Sequence, residues 1–216
     1  MVSLLFDFDG VIADSFDVFR RRFERGCSAL GLTVPTDRDS LLRLFDGNFF
    51  ERVRDLGVPA ASMAAFLERV CANLPGEEDA IGLQPGMADV LRQLSTRTAL
   101  TIVTSNRSPL VLAVLRRHGL AACAQEVLGA DTDTSKVHKI ARAMGSAGAP
   151  CFFIGDTRGD MLEGRAAGAA TVAVGWGWHS IPRLLQARPD YLAVAPGNLC
   201  RLPDDTGWAP VGLPVR

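Results

Sequence analysis

Residues 151–175 read CFFIGDTRGDMLEGRAAGAATVAVG. Cys151 to Gly155 is an apolar run ending at a glycine, Met161 to Ala167 has helical texture stopped by Gly168, and Ala170 to Gly175 is a second apolar run. Unbroken apolar runs of this length, without polar alternation, fit strands buried on both faces. A strand, a helix and a strand in such quick succession form a βαβ unit, and the crossover makes the two strands parallel.

Working towards the N-terminus, the same texture repeats. Ser135 to Met144 reads as helix, Glu126 to Gly129 as a short strand, Pro109 to His118 as helix, Ala99 to Thr104 as strand and Met87 to Leu94 as helix. Ser3 to Phe8 is one more apolar run, and it meets the turn signal Asp9-Gly10. Between these parts the pattern is helical throughout. Phe16, Phe19, Phe23, Cys27 and Leu30 share a face, Leu41 to Leu56 continues with a break at Asp46-Gly47-Asn48, and Met63, Phe66, Leu67, Val70, Cys71 and Leu74 form an amphipathic stripe. The expected architecture is an α/β, doubly wound parallel sheet (residues 1–13 and 84–202) carrying an inserted all-helical cap (residues 14–83) and a Gly- and Pro-rich tail (residues 203–216) with Trp208 as its large anchor.

The chain has 216 residues, 48% hydrophobic and 22% charged, with a formal charge of -1. That composition supports a sizeable core, and its balanced charge gives no global field to recruit nucleic acid or an anionic membrane. No signal-peptide pattern and no long apolar stretch is present, so the sequence-level expectation is a cytoplasmic protein without membrane contact. Cys27, Cys71, Cys123, Cys151 and Cys200 are odd in number and form neither a CxxC pair nor a zinc pattern, which reads as reduced packing residues. Of the 23 basic residues only two are lysines, Lys136 and Lys139, placed within one helical turn. Such scarcity points to a position that needs a compact ammonium.

In open parallel sheets, ligands sit outside the carboxyl ends of the strands. Here those ends carry Asp7 and Asp9, then Thr104, Ser105 and Asn106, then Asp156 and Asp160, with Lys136 near the start of the helix that begins at about Ser135. Asp7 and Asp9 share a face if the extended chain persists, so one carboxylate can attack while the other handles the proton. Gly10 lets the backbone turn sharply beside a ligand. Read alone, Asp-Phe-Asp-Gly is more simply a capped strand end, and Asp156 with Asp160 is equally a helix N-terminal charge pattern. Taken together, four carboxylates at one rim sum to -4, which repulsion and desolvation oppose unless a counter-charge is supplied. Mg²⁺ and one lysine reduce this to -1, or to zero with Asp9 protonated. The same rim, with Thr104 and backbone N–H groups near Asn106, suits phosphoryl oxygens.

The segments DFDGVIADS, IVTSN, TSKVHKI and GDTRGDMLEGRAAG, in that order, resemble the four motifs of the haloacid dehalogenase superfamily, with coverage from Val2 to about Leu199. LQPGM and VAVGWG are similar to family connectors. The resemblance implies Asp7 as nucleophile, Asp9 as general acid and base, Thr104 as a phosphate ligand and Lys136 as the lysine of the third motif. It also implies that Asp156 and Asp160 complete a Mg²⁺ site with Asp7 and the Asp9 carbonyl. Members that cleave carbon–halogen bonds lack the second acid, so Asp9 places the chain with phosphatases and phosphomutases. The helical insertion resembles the cap of phosphoglycolate phosphatases and β-phosphoglucomutases.

The implied activity is therefore Mg²⁺-dependent hydrolysis of a small phosphate ester through an aspartyl-phosphate, with a phosphomutase or a non-catalytic binding module as alternatives. One departure is that Lys136 is followed by Val137 rather than proline, which leaves Lys139 as a rival for the lysine role.

Other features read as ordinary structure. Arg20, Arg21 and Arg22 point around a helix and read as mostly solvated. Asp46-Gly47-Asn48 is either a helix–helix turn or a substrate-reading cap loop. Trp176, Trp178 and His179 read as a packed aromatic corner with a surface histidine, and His138 reads as an exposed helix residue. A receiver domain is disfavoured by the helical insertion, and nucleotide binders of the Rossmann or P-loop kind by the absence of GxGxxG and GxxxxGK[ST].

Overall fold

A computed structural model describes residues 2–33, 37–71, 76–145 and 150–204. Its centre is a six-stranded sheet of β1 (Ser3–Phe6), β4 (Ala99–Val103), β5 (Glu126–Leu128), β6 (Cys151–Gly155), β7 (Ala170–Val174) and β8 (Tyr191–Ala193) in the order β5-β4-β1-β6-β7-β8. Every pairing in it is parallel, with Ser3 opposite Ala99 on one side and opposite Cys151 on the other. Counted within the sheet this is the order 3-2-1-4-5-6 of a doubly wound fold, whose winding reverses between β1 and β6.

Alternation along β1 sends its side chains into two cores. Leu4 and Phe6 face Met87 and Leu91 of α5 (Met87–Ser95), Leu110 and Val114 of α6 (Ser108–Arg117), and Leu199. Leu5 faces the opposite side with Phe153 of β6 and Ile140 of α7 (Lys136–Met144). On that side Met161 of α8 (Arg158–Ala166) packs with Ala173 and with Leu184 of α9 (Ile181–Leu185). Covering both faces removes any solvated side from β1, β6 and β7, which explains why these strands are apolar without alternation.

A separate two-stranded antiparallel ribbon, β2 (Ala13–Asp14) with β3 (Gly82–Leu83), sits where the chain leaves the sheet layer and where it returns. Between its strands run α1 (Phe16–Ala29), α2 (Arg38–Arg43), α3 (Phe49–Arg54) and α4 (Ala60–Cys71), which bury their own apolar cluster. Phe23 of α1 meets Phe66 of α4 edge to face at 5.5 Å between centroids. Gly26 permits this approach, because a Cβ there would lie 2.9 Å from Val70.

Several expectations shift. Helix α8 starts at Arg158 rather than Met161, because Thr157 caps it: its hydroxyl accepts the Asp160 N–H while the Asp160 carboxylate accepts the Thr157 N–H. Of the stripe on α4, Phe66 and Val70 are buried whereas Met63 and Leu67 are half-buried; Leu74 lies outside the described residues, as does Trp208 of the tail. The ribbon and β8 have no counterpart in the sequence reading. No helix among the described residues is long and apolar enough to cross a membrane.

Candidate active site

The switch point between β1 and β6 places Asp7 just after one strand and Asp156 just after the next. Asp160, on the first turn of α8, completes a cluster of three buried carboxylates whose nearest oxygens lie within 4.8 Å of one another. Lys136, the first residue of α7, reaches in from the side; its Nζ donates to Asp7 Oδ2 at 2.8 Å and to Asp160 Oδ1 at 2.6 Å. Asp7 Oδ1 accepts the Phe8 N–H at 2.8 Å. Asp160 Oδ2 is held by the Thr157 N–H and hydroxyl at 3.0 and 2.6 Å.

Asp156 is the least satisfied member. Its Oδ2 accepts the Trp178 N–H at 2.6 Å, but its buried Oδ1 has no hydrogen-bond partner. Two glycines press against this carboxylate. A Cβ on Gly10, which adopts φ +77°, would lie 2.0 Å from Asp156 Oδ2, and one on Gly177 would lie 2.2 Å from Asp156 Cβ. The backbone thus closes around Asp156 in a way that only glycine permits.

The electrostatics are strained in the bare protein. Burial pushes the Asp7 carboxyl up to about 8 and Asp156 well above the usual carboxylate range, with the neighbouring acids adding to the effect. Burial opposes the charged form of Asp160 as well, yet Lys136 and Thr157 outweigh it and hold that group below its ordinary value. Burial likewise works against the Lys136 ammonium, but Asp160 and Asp7 raise it well above 10.5. Three carboxylates and one ammonium leave -2, the charge that a divalent cation neutralises. The orphaned Asp156 oxygen and the all-oxygen donor set fit a hard cation such as Mg²⁺.

Asp9 stands apart from this cluster. The Asp9 Oδ1 accepts the Ser15 hydroxyl at 2.7 Å and its Oδ2 accepts the Asn106 amide at 2.9 Å. Asp7 and Asp9 nevertheless line one cavity of about 60 Å³ together with Ser105, Asn106 and Lys136. Thr104 is fully buried; its Oγ1 accepts the Asn106 N–H at 3.0 Å and its carbonyl accepts Lys139 Nζ at 2.6 Å. The structure thereby separates the two lysines: Lys136 touches the carboxylates, whereas Lys139 braces the β4 loop and has its ammonium lowered to about 8, chiefly by burial.

The opposite wall comes from the helical block. Phe16, Phe19 and Phe45 surround Trp178, with Phe45 and Trp178 edge to face at 4.8 Å. Arg22 also lines this wall and is 3% exposed, so the three consecutive arginines are not equivalent: Arg20 stays at the surface beside Glu24 while Arg22 is interior. The signal for it in the sequence was its helical position, three residues after Phe19 of the apolar face.

His179 corrects the surface assignment. It is 1% exposed, and its Nδ1 accepts the Arg158 N–H at 3.0 Å, which leaves Nε2 to donate to the Leu42 carbonyl at 2.8 Å. Asp46-Gly47-Asn48 is neither a free turn nor part of the cavity wall. Asp46 pairs with both nitrogens of the Arg183 fork at 2.9 and 2.8 Å, Asn48 donates to Glu163 at 2.8 Å while capping α3, and Gly159 donates to the Phe45 carbonyl at 2.8 Å. These contacts fasten the helical block over the sheet. His138 is exposed and pairs with Asp133, as expected of a helix surface.

Residues 4–174 match the family model described as haloacid dehalogenase-like hydrolase. A phosphoglycolate phosphatase of Synechococcus elongatus is 30% identical over 204 residues, covering 92% of this chain and 95% of that protein. Among solved structures, a predicted phosphatase from Clostridium acetobutylicum aligns with a TM-score of 0.79 at 18% identity, covering 93% of this chain and 96% of that one. A hydrolase from Pseudomonas syringae aligns with a TM-score of 0.78 at 20% identity over 95% and 99% of the two chains.

Proposed function

Because this chain belongs to the haloacid dehalogenase-like hydrolase family and is a phosphatase of that family, we propose that it hydrolyses a small phosphate monoester through an aspartyl-phosphate on Asp7, with Mg²⁺ as cofactor and the helical block of residues 14–83 acting as the cap. The observation that carries this reading is the division of labour among the acids. Asp7 sits with Asp156, Asp160 and Lys136, while Asp9 faces the same cavity from a separate hydrogen-bonded position.

Asp7, Asp156 and Asp160 would hold the cation. When bound, Mg²⁺ supplies positive charge against the phosphoryl oxygens and favours the ionised form of Asp7. Lys136, already on Asp7 Oδ2, lies where it neutralises the carboxylate and the incoming phosphoryl group together. In the first step an oxygen of Asp7 bonds to phosphorus as the ester P–O bond breaks, and Asp9 gives its proton to the departing alkoxide. In the second step the Asp9 carboxylate takes a proton from water, whose oxygen attacks phosphorus and breaks the bond to Asp7, releasing phosphate. Ser15 and Asn106 each occupy one Asp9 oxygen and so fix its direction through both steps. Ser105, at the cavity wall, is left for phosphoryl oxygens, while Thr104, fully buried and off the cavity lining, holds the Asn106 N–H.

The test is phosphate release from p-nitrophenyl phosphate and a panel of small esters, phosphoglycolate first because the Synechococcus relative is named for it, with Mg²⁺ or EDTA. Turnover that requires Mg²⁺ and is abolished by Asp7→Asn is the expected result. Metal-independent turnover would refute the site, and silence on the whole panel would favour a mutase or a binding module.

A further inference from the structure

Arg22 enters the cavity wall from α1 with a guanidinium only partly used. Its Nε donates to Glu77 Oε2 at 2.8 Å and its Nη1 to Asn106 Oδ1 at 3.3 Å, but its buried Nη2 has no acceptor among the described residues. Arg25 donates to the other Glu77 oxygen at 3.0 Å, so two guanidinium groups share one carboxylate and the trio retains a positive charge. Trp178 carries the second unused donor on this cavity, its buried Nε1. Buried donors without acceptors are expensive, charged ones most of all, and native proteins retain them chiefly where a ligand is to be met.

Both nitrogens have almost no exposed surface. The rest of the cap wall is mostly apolar, with Val18, Phe19, Phe49 and Val70 lining it, while Ser15 turns its hydroxyl to Asp9. Asn106 sets the spacing between Arg22 and the reaction centre. The Oδ1 of this carboxamide accepts from Arg22 Nη1 and its Nδ2 donates to Asp9, which places the guanidinium one amide group away from the acid that meets the leaving oxygen.

Building on the phosphatase reading, we propose that Arg22 is the specificity-determining residue of this site, and that it receives a carboxylate carried one or two carbons from the ester oxygen of the substrate. In this reading the guanidinium takes one carboxylate oxygen and the Trp178 indole N–H, the other unused donor, takes the second.

The test measures kcat and KM separately for wild type, Arg22→Met and Arg22→Lys on phosphoglycolate, on its neutral amide and on p-nitrophenyl phosphate. Wild type should prefer the acid over the amide by about 100-fold or more in kcat/KM, as expected when a buried polar site meets an analogue lacking its partner. Arg22→Met should collapse that ratio to a few-fold, mainly through KM, and Arg22→Lys should restore part of it. A purely structural role would lower both substrates together and leave the ratio intact, which would overturn the proposal. So would an active wild type without preference, or one preferring a bisphosphate. If Arg22→Met does not fold, Trp178→Phe carries the same ratio test, with a loss of about ten-fold expected for one donor. Wild type inactive on every ester, p-nitrophenyl phosphate included, would instead sink the phosphatase reading on which the inference rests.

Discussion

Gly10→Ala separates the role of Asp156 from ordinary backbone strain. Gly10 adopts φ +77°, so any side chain there incurs the left-handed penalty of about 1–2 kcal/mol. Its Cβ would also lie 2.0 Å from Asp156 Oδ2, about 1 Å inside the closest approach that real Cβ atoms make. The carboxylate must therefore move, and overpacking of this kind adds about 1–3 kcal/mol. Gly168, at φ +86° with nothing within 4 Å, supplies the control, since Gly168→Ala carries the backbone penalty alone. Urea unfolding should place Gly168→Ala about 1–2 kcal/mol below wild type and Gly10→Ala about 2–5 kcal/mol below. The two variants should then part in their response to metal. At Mg²⁺ a hundred times its Kd, wild type and Gly168→Ala should each gain about 2.7 kcal/mol, whereas Gly10→Ala, with Asp156 displaced, should gain much less. An equal Mg²⁺ gain in Gly10→Ala and Gly168→Ala would refute the argument that Asp156 and its glycine cradle form the cation site.

Lys136→Met should destabilise the metal-free protein by about 3–5 kcal/mol at neutral pH, because it strands Asp160 as a buried charge; denaturant titration would show it, and a near-neutral result would mean that the lysine is dispensable to packing. Asp9→Asn should slow hydrolysis of alkyl phosphates by about 10²–10⁴-fold but affect p-nitrophenyl phosphate less, since a good leaving group needs little protonation; equal losses on both would remove Asp9 as the acid. Burial holds the His179 imidazole below its ordinary value, with its Nδ1 lone pair engaged by the Arg158 N–H. The unfolded chain then binds more protons, so the stability that His179 contributes is complete above about pH 6.5 and is lost as pH falls through its folded value. The stability difference between wild type and His179→Asn should accordingly shrink from pH 7.5 to 5.5, and a constant difference would contradict the assigned tautomer. A double-mutant cycle on Asp46 and Arg183 should return a coupling of about 1 kcal/mol, given a two-nitrogen pair that is partly exposed.

The core strands were legible because burial on both faces leaves its mark on every residue, as in Cys151 to Gly155 and Ala170 to Val174. The rim acids were legible for a related reason: a carboxylate directly after a buried strand has few places to go. β8 and the two-residue ribbon strands are too short to print a period, and their pairing is decided by distant partners. The direction of the Asp9 carboxylate, away from the other acids, depends on Ser15 and Asn106, which no local pattern connects. Arg22 and His179 escaped for the same reason. An arginine among arginines and a histidine beside tryptophan acquire their surroundings only when the helical block closes over the sheet.

The ribbon that joins Ala13 to Leu83 and Asp14 to Gly82 also bears on how the chain is made. β1, the central strand, is synthesised before both of its neighbours, Ala99 to Ile102 on one side and Cys151 to Ile154 on the other. The nascent chain emerges with that apolar segment and nothing to pair it with, and pairing over such separations is intrinsically slow. The helices that follow supply every buried aromatic residue of their cluster except Trp178, so most of it can form before β4 exists. Once they do, the ribbon draws the two ends of the insertion together, and the loop separating β1 from β4 shrinks from most of a hundred residues to a short span on either side of the ribbon. The part of the molecule that covers the site thus also serves, during synthesis, to lower the entropy of finding the first long-range partner.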